Sequence, residues 1–380
     1  MRVGIVANEP SGDQLAAIVM RALRELRPDV RFVGVAGPRM AEAGCETLLD
    51  QERLSVMGLM DVLRHLPEQV RLRRQLGDYF LENPPDLFIG VDAPDFNLGL
   101  ERRLHLAGIP TAHLVSPTVW AWRLGRIKLL RTAVDLVLSI FPFEEPFLQE
   151  RDVPVRYIGH PLADEIPLTT DRQAARRALG LPAVAEVIAL LPGSRVSEVK
   201  RLARPFLETA HWCLRQKPGL QFVVPLVSSR LRDLFQEALR FTGFDLPLTL
   251  VDGQGRQAMI AANAVLTASG TATLEALLLR RPMVVAYRLD ALSYRLIKAL
   301  RLIKVPYVAM ANLLAGRELA PEFLQDRCRA ELMGPAILAL LEDAERLSEI
   351  GEIYDSIHRQ LRLDAGRQAA LSLLELVENR

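Results

Sequence analysis

The sequence predicts an α/β protein of two halves, each a parallel sheet covered by helices. Apolar runs of strand length alternate with helix-length amphipathic patterns along most of the chain, and this alternation is typical of parallel sheets. A length of 380 residues favours two domains, each large enough for its own core. A content of 50% hydrophobic and 24% charged residues is ordinary for a globular enzyme.

The predicted strands follow one another at regular intervals in both halves. In the first half they are residues 3–7, 32–35, 87–91, 111–115, 136–140 and 156–158; in the second, 187–191, 221–224, 248–251, 264–267 and 283–287. The polar segment 164–171 predicts the linker, and beyond Pro335 the pattern is only helical. We therefore expect domains at residues 1–165 and 166–345, with helices of residues 346–380 packing back on the first domain.

Composition and charge limit the class of function. A formal net charge of +1 gives no overall attraction to nucleic acid, so nucleic acid is not an expected partner. The three cysteines, Cys45, Cys213 and Cys328, are widely spaced and include no CxxC pair, which argues against a disulfide framework and favours a reducing compartment. The apolar run 3–7 is too short for a signal peptide, and nowhere do 18 apolar residues run uninterrupted. A cytoplasmic chain that does not span a membrane is expected.

The stretch from Ala268 to Glu275 carries the strongest single signal. A small-residue loop, Ser269-Gly270-Thr271, joins an apolar run to a helix-like run. Free amides at a helix start attract an anion, and the carboxylate of Glu275, about a turn further on, can accept hydrogen bonds from ribose hydroxyls. The alternative is a helix that Ser269 or Thr271 merely caps, with Glu275 as a favourable acid near its start.

A second loop of the same type favours the nucleotide interpretation. Residues 187–191 predict a buried strand, Pro192-Gly193-Ser194-Arg195 a tight turn, and Ser197 onward an amphipathic helix. Ligands bind at the carboxyl edge of open parallel sheets, where Arg195 offers a forked donor to phosphate oxygens. The two loops together predict one pyrophosphate site.

Acidic side chains follow strands in the first half. Asp92 comes directly after strand 87–91 and before a proline, where a general base would be held. Asp95 is the alternative base, although an aspartate after a strand more often caps a helix. Glu9 follows strand 3–7 and is either a site acid or a solvated loop acid beside a helix that begins near Asp13.

Two of the three tryptophans, Trp120 and Trp122, fall in a presumed loop after strand 111–115. A lone tryptophan usually packs into a core. Two of them beside a loop at the sheet edge predict an apolar wall of a substrate site.

These motifs, taken in order, resemble the lipid-A-disaccharide synthase family from end to end. The resemblance rests on residues 9–13, 35–40, 92–97, 116–123, 191–195, 268–271 and 312–318. It implies a GT-B fold: two Rossmann-like domains with a cleft between them and a helical C-terminal segment. It also implies an inverting, metal-independent glycosyltransferase. That enzyme moves 2,3-diacylglucosamine from UDP-2,3-diacylglucosamine to 2,3-diacylglucosamine 1-phosphate, giving the β-1,6-linked disaccharide 1-phosphate of lipid A and UDP.

The resemblance implies roles for single residues as well. Asp92 matches the general base, Glu9 an acid in the acceptor-side cleft, and Arg195 the arginine near the donor pyrophosphate. The remaining matches are the phosphate loop and its neighbour (Ser194, Ser269, Gly270 and Thr271), the ribose acid (Glu275), and polar groups of a motif that closes over the donor (Asn312, Arg317 and Glu318).

Two positions depart from the family pattern. Asn8 stands where the family commonly has glycine, but asparagine tolerates left-handed backbone, so the turn can survive. Ala311 stands where the family commonly has proline, which leaves the loop before Asn312 less restrained.

No cofactor and no metal are expected, because no DxD pair or histidine cluster lies near either loop; His160 is interpreted as shaping the turn before the linker. Two alternatives stay open. An epimerase or hydrolase acting on a UDP-amino sugar would use the same donor site without a lipid acceptor. A two-lobed binding protein would share the architecture but ordinarily carries an export signal. A homodimer also stays open.

Acylated substrates suggest contact with the inner face of the inner membrane, without crossing it. Residues 288–304 place five basic side chains beside apolar ones at helical spacing, which predicts a basic amphipathic helix facing anionic lipid. Residues 62–80 form a weaker candidate. The alternative for both is that the apolar stripe packs on its own domain and the basic face is only solvated.

Overall fold

The computed structural model describes residues 1–51, 59–120, 124–290, 294–295 and 305–379. The chain forms two compact units, Met1–Glu165 with Gln360–Arg380 as unit 1, and Ile166–Arg359 as unit 2. The predicted division at residue 346 differs from this, since the part of the chain that joins unit 1 begins at Gln360. The reason is that one helix runs without a break from Ala344 to Leu361.

Unit 1 contains, in its described part, a seven-stranded parallel sheet of order β3-β2-β1-β4-β5-β6-β7. Its strands are β1 Arg2–Ala7, β2 Arg31–Ala36, β3 Cys45–Asp50, β4 Leu87–Val91, β5 Thr111–Leu114, β6 Leu136–Ser139 and β7 Val155–Tyr157. Its helices up to the linker are α1 Pro10–Leu26, α2 Pro38–Glu42, α3 Leu59–Glu82, α4 Pro94–Leu106, α5 Ile127–Ala133, α6 Glu144–Gln149 and α7 Pro161–Glu165.

Unit 2 contains, in its described part, a six-stranded parallel sheet of order β10-β9-β8-β11-β12-β13. Its strands are β8 Val187–Leu191, β9 Gln221–Leu226, β10 Leu248–Asp252, β11 Ala264–Ala268, β12 Met283–Tyr287 and β13 Glu322–Leu324. Its helices are α8 Arg172–Ala178, α9 Val196–Gln216, α10 Ser229–Thr242, α11 Gly255–Ala261, α12 Thr271–Leu278, α13 Met310–Ala315, α14 Ala330–Glu342 and α15 Ala344–Leu361, the last of which ends in unit 1.

The central strands are apolar on both faces, as a sheet covered by helices requires. Val3, Ile5 and Val6 of β1 are fully buried. The last helix, α16 Ala365–Glu378, packs on α1 in unit 1: a Cβ at Gly366 would lie 2.8 Å from Cγ2 of Ile18. The absence of a side chain at Gly366 therefore lets the two helices approach closely.

Every predicted strand is found, with ends shifted by at most two residues. The strands that the sequence pattern misses, β3 and β13, each have one neighbour in the sheet. The expectation that the first helix begins near Asp13 is wrong: α1 begins at Pro10, whose fixed φ suits the first helical position.

The described residues include no helix both long enough and apolar enough to cross a membrane.

Candidate functional site

Two neighbouring strands of unit 2, β8 and β11, end at the same edge of the sheet. Leu191 at the end of β8 is paired with Thr267 near the end of β11. A short loop follows each strand, and a helix follows each loop, α9 from Val196 and α12 from Thr271. The sheet thus brings the two predicted phosphate loops side by side.

The loop after β8 is held by the helix that it enters. One oxygen of Glu198, Oε2, accepts hydrogen bonds from the backbone N–H groups of Ser194 at 3.0 Å and Arg195 at 3.1 Å. Gly193 has φ +114°, and a Cβ there would lie 2.4 Å from that same oxygen. The Arg195 side chain is 76% exposed, with its guanidinium 3.7 Å from Glu198. The tight turn therefore requires glycine and leaves the Arg195 guanidinium accessible.

The loop after β11 leaves the start of its helix without a side-chain cap. The N-cap of α12 is Gly270, with φ +134° and ψ −158°, a backbone region nearly restricted to glycine. The Ser269 hydroxyl donates instead to the carbonyl of Val308, at 3.1 Å. The interpretation that Ser269 or Thr271 caps this helix is therefore wrong, because the N-cap is Gly270, which has no side chain.

One cavity of about 300 Å³ lies against both loops. Its lining includes Ser194, Arg195, Ser269, Gly270, Thr271 and Glu275. The carboxylate of Glu275 lies 3.5 Å from the Arg256 guanidinium. The size is at the lower end of ligand pockets, which run from about 300 to 1,000 Å³. The structure thus brings a cation, a helix start and a carboxylate to one concave surface.

Asn312 lies elsewhere in this unit and is fully buried. Its amide nitrogen donates to the carbonyl of Ala320 at 2.7 Å and to Glu322 at 2.9 Å. Its amide oxygen accepts from the N–H groups of Leu319 and Ala320, both at 2.8 Å. Asn312 thus holds the turn that follows α13.

Arg317 and Glu318 line a different cavity from the one between the two loops. The Arg317 guanidinium pairs with Glu349 at 2.5 Å. The structure does not bring these two side chains, or Asn312, to the cavity of Arg195 and Glu275.

Sequence reasoning missed a connection between Asn312 and the loop after β11. Glu322, which accepts from Asn312, also accepts from the N–H groups of Val308 at 2.9 Å and Ala309 at 2.9 Å. The carbonyl of Val308 in turn accepts the hydrogen bond from the Ser269 hydroxyl. The sequence shows only an acid at position 322 between Pro321 and Phe323, and an acid alone does not distinguish a buried acceptor from a surface charge.

In unit 1, two acids also follow neighbouring strands. Ala7 at the end of β1 is paired with Val91 at the end of β4, so Glu9 and Asp92 come from adjacent positions on one edge. Glu9 is exposed and stands at the N-cap of α1, with extended backbone and no side-chain cap bond. Both acids are thus presented at the carboxyl edge of the sheet.

The backbone at Asp92 is strained. Asp92 has φ +50° and the next residue, Ala93, has φ +42°, a left-handed conformation that aspartate tolerates better than most residues but that costs about 1–2 kcal/mol at Ala93. Asn97, fully buried, fixes the corner by donating to the carbonyls of Val91 at 3.1 Å and Asp92 at 2.8 Å. Strain of this kind clusters at functional sites. Asn97 was missed, although it belongs to the motif 92–97.

Asp95, the alternative base, lies in the first turn of α4 and is not the cap, since the N-cap is Ala93. The Asp95 carboxylate is 79% exposed and pairs with Arg126. Its position is that of a surface ion pair, one turn beyond the strained corner.

Trp120 is half-buried in unit 1. Its ring lies edge-on to Phe143, and its Nε1 donates to Glu144 Oε1 at 3.1 Å. Burial raises the pKa of Glu144 to about 8, while the hydrogen bonds from Trp120 and the backbone of Phe141 act the other way. Trp122, the other half of the predicted apolar wall, lies outside the described residues.

Across the described part of the chain, no three side chains among His, Cys, Asp and Glu are grouped so that they could hold a metal ion.

The fold resembles that of a solved glycosyltransferase and of a solved UDP-GlcNAc 2-epimerase. A glycosyltransferase of kitacinnamycin aligns with 99% of this chain and 98% of its own at a TM-score of 0.61 and 17% identity. UDP-GlcNAc 2-epimerase from Neisseria meningitidis, solved with UDP-GlcNAc, aligns over 100% of both chains at a TM-score of 0.61 and 13% identity. Two parallel Rossmann-like sheets with a helical C-terminal segment define the GT-B class, which includes glycosyltransferases and epimerases.

Sequence comparison narrows the class to one family. The family model for lipid-A-disaccharide synthetase matches residues 3–374. The lipid-A-disaccharide synthase of Pseudomonas aeruginosa strain UCBPP-PA14 is 51% identical over 380 residues, covering 100% of this chain and 99% of its own. That of Azotobacter vinelandii strain DJ is 53% identical over 379 residues, covering 100% and 98%. The chain belongs to the lipid-A-disaccharide synthase family and is a glycosyltransferase of lipid A biosynthesis.

Proposed function

We propose that the cavity of unit 2 holds the UDP part of UDP-2,3-diacylglucosamine. The observation that carries the proposal is the common lining of this cavity by Arg195, the loop 269–271 and Glu275. A diphosphate needs a cation and free amides, and a ribose needs an acceptor for its two hydroxyls. The cavity offers all three in one place.

The proposed roles follow the charge that develops in the reaction. When the acceptor's 6-hydroxyl attacks the anomeric carbon of the donor sugar, the departing UDP gathers negative charge. Arg195 and the amides that begin α12 stabilise this charge without a metal ion. The acceptor hydroxyl loses its proton to Asp92, whose backbone is fixed by Asn97. Glu9, next to it on the edge, faces the acceptor.

Binding measurements test the donor half of this proposal. Arg195→Ala should weaken both UDP and inorganic pyrophosphate, because it removes a donor to the phosphates. Glu275→Ala should weaken UDP but leave pyrophosphate unchanged, because the carboxylate is assigned to the ribose. A hydrogen bond to a charged group contributes about 1.5–3 kcal/mol, so each loss should be about 10-fold to 150-fold by calorimetry.

Arg215→Ala is the matched control, since Arg215 is exposed in the last turn of the same helix as the Arg195 loop. It should bind both ligands like the parent. Unchanged UDP affinity in both test variants would place the nucleotide elsewhere.

We also propose that both acylated substrates are taken from the inner face of the inner membrane, with basic surfaces holding the protein to anionic lipid. In α3, Arg71 and Arg74 are exposed and Val70 is 47% exposed, whereas Leu76 is buried in the core of unit 1. Part of that apolar stripe therefore packs on its own domain. The stronger candidate, residues 288–304, lies for the most part outside the described residues.

Salt dependence of liposome binding tests the membrane proposal. Each Lys or Arg near an anionic surface adds about 1 kcal/mol, screened by salt. Changing Arg295, Lys298 and Arg301 together to serine should reduce binding to anionic vesicles without altering UDP affinity. A triple variant that binds vesicles as well as the parent would exclude the segment 288–304 as the membrane surface.

A further inference from the structure

A second, larger cavity lies at the opposite edge of the sheet of unit 2. Its volume is about 620 Å³, and its lining includes Asn263 and Pro282, which directly precede β11 and β12. The proposed nucleotide cavity lies beyond the carboxyl ends of β8 and β11. The two cavities share no lining residue, so the larger one is separate from the donor site.

Three arginines, Arg172, Arg280 and Arg281, line this cavity, and its lining residues include no acid. Arg281 is only 7% exposed and donates to neutral groups: Nε to the carbonyl of Met259 at 3.1 Å and Nη2 to the hydroxyl of Thr170 at 3.3 Å. The cavity is therefore strongly cationic.

Carboxylates compensate this charge only in part. Arg280 pairs with Asp355 at 2.9 Å. The Arg172 side chain has neither a hydrogen bond nor an ion pair within the described part of the chain. Burial, together with the charges of Arg172, Arg280 and Arg176, lowers the pKa of Arg281 to about 10. Desolvated cations without counterions are costly, and an anion among them would remove that cost.

A structural role accounts for Arg281 of the lining and for Arg176, which is not part of it, but not for Arg172. Arg281 and Arg176 satisfy carbonyls at the end of α11, Met259 for the former and Ala261 for the latter, as basic side chains often do at a helix C-terminus. Arg172 makes no such bond, yet burial lowers its pKa as well.

The rest of the lining shows what else the ligand carries. Leucine side chains form a large part of the wall: Leu168, Leu279, Leu340, Leu341 and Leu347. An apolar surface beside a cationic one fits an amphiphile better than a bare ion.

We propose that this cavity is a second binding site, in which Arg172 and Arg281 hold the phosphate of a ligand whose apolar part lies on the leucines. The phosphate can belong to a soluble phosphate ester or to the headgroup of a phospholipid; the chemistry recognised is the same. The proposal does not depend on the assignment of the nucleotide cavity.

Calorimetry with inorganic phosphate tests the site in three variants of the full chain. Arg172→Gln removes the unpaired cation; Arg177→Gln changes an exposed arginine of the same helix, α8; and Arg195→Ala disables the other expected phosphate site. The Arg172 variant should fold, because it removes a like charge and breaks no bond, and thermal unfolding without phosphate should find it at least as stable as the parent.

Phosphate affinity should fall about tenfold or more in the Arg172 variant. Phosphate binding should remain in the Arg177 and Arg195 variants. Equal affinity in the Arg172 variant and the parent, or loss of all phosphate binding in the Arg195 variant, would overturn the proposal. Vesicles of phosphatidylglycerol, compared with phosphatidylcholine, identify the source. If the ligand is a phospholipid headgroup, the Arg172 variant should bind the anionic vesicles more weakly than the Arg177 variant does. If the ligand is a soluble phosphate ester, the two variants should bind these vesicles equally.

Discussion

The two sheets present their carboxyl edges in different ways. In unit 2, the turns that leave β8 and β11 have positive φ at glycines, Gly193 at +114° and Gly270 at +134°. In unit 1, the turns that leave β4 and β5 have positive φ at residues with side chains: Asp92 at +50°, Ala93 at +42° and Val115 at +75°. The unit 2 edge places its positive φ angles at glycines, which adopt them without steric strain, whereas the unit 1 edge places them at residues with side chains, which are strained there.

This difference fits a division of the chemistry. A bound diphosphate is recognised by backbone amides and a cation, which a glycine turn exposes at no steric cost. A general base has to be held at one point, and left-handed backbone at a non-glycine residue persists only where the surrounding structure enforces it. The buried amide of Asn97 supplies that enforcement at Asp92.

The largest expected effect concerns the side chain at the strained edge. Asp92→Asn keeps the shape but cannot accept the proton, so turnover should fall by about 10²–10⁴-fold. UDP affinity should stay near that of the parent, because Asp92 belongs to unit 1, whereas the loops proposed to bind UDP belong to unit 2. Release of UDP from the acylated donor, with and without the phosphorylated acceptor, measures the change.

Asp95→Asn is the matched control at the same edge. Asp95 is exposed and forms a surface ion pair with Arg126, an interaction of about 0–1 kcal/mol. Turnover should change little. If the Asp95 variant loses turnover and the Asp92 variant keeps it, the assignment of the base is reversed.

The contrast between the edges also explains what the sequence could predict. Continuous apolar runs mark strands buried on both faces, and the residue after such a run lies at the ligand-binding edge. That is why Asp92, Arg195 and the loop 269–271 could be placed before the structure was known. Two of the four edge strands, β3 and β13, lack this signal, because acidic residues interrupt their apolar runs: Glu46 and Asp50 in β3, and Glu322 in β13.

Residue type alone does not predict whether a polar side chain contacts ligand or forms hydrogen bonds with the protein's own backbone. Asn312 and Glu318 belong to one motif, yet the amide of Asn312 is fully used by backbone and Glu322, and Glu318 lines another cavity. Long-range partners such as Glu322 and Val308 become visible only when the chain is folded.

A smaller effect is expected from the glycine of the relaxed edge. Gly270→Ala forces a side chain into a backbone region that costs about 1–3 kcal/mol, although a Cβ there meets no atom within 4 Å. The loss of unfolding free energy in urea should therefore come from backbone strain alone. Gly255→Ala is the control, because Gly255 has open space around it and no positive φ. Equal stability of the two variants would mean that the loop does not require glycine.

The smallest effect, opposite in sign, is expected at Ala93 on the strained edge. Ala93→Gly relieves the folded state of a left-handed backbone strain of about 1–2 kcal/mol. The glycine also gives the unfolded chain more conformational entropy, which lowers the stability by about 0.4–1 kcal/mol. The net result should be a small gain in stability. Ala107, at the other end of α4, has φ −88°, so Ala107→Gly should instead lose about 0.4–1 kcal/mol. Because a glycine at residue 93 also loosens the corner that carries Asp92, turnover should fall while stability rises. A loss of stability in both the Ala93 and the Ala107 variant would show that the backbone at Ala93 is not strained. The two edges would then differ in their side chains but not in backbone strain.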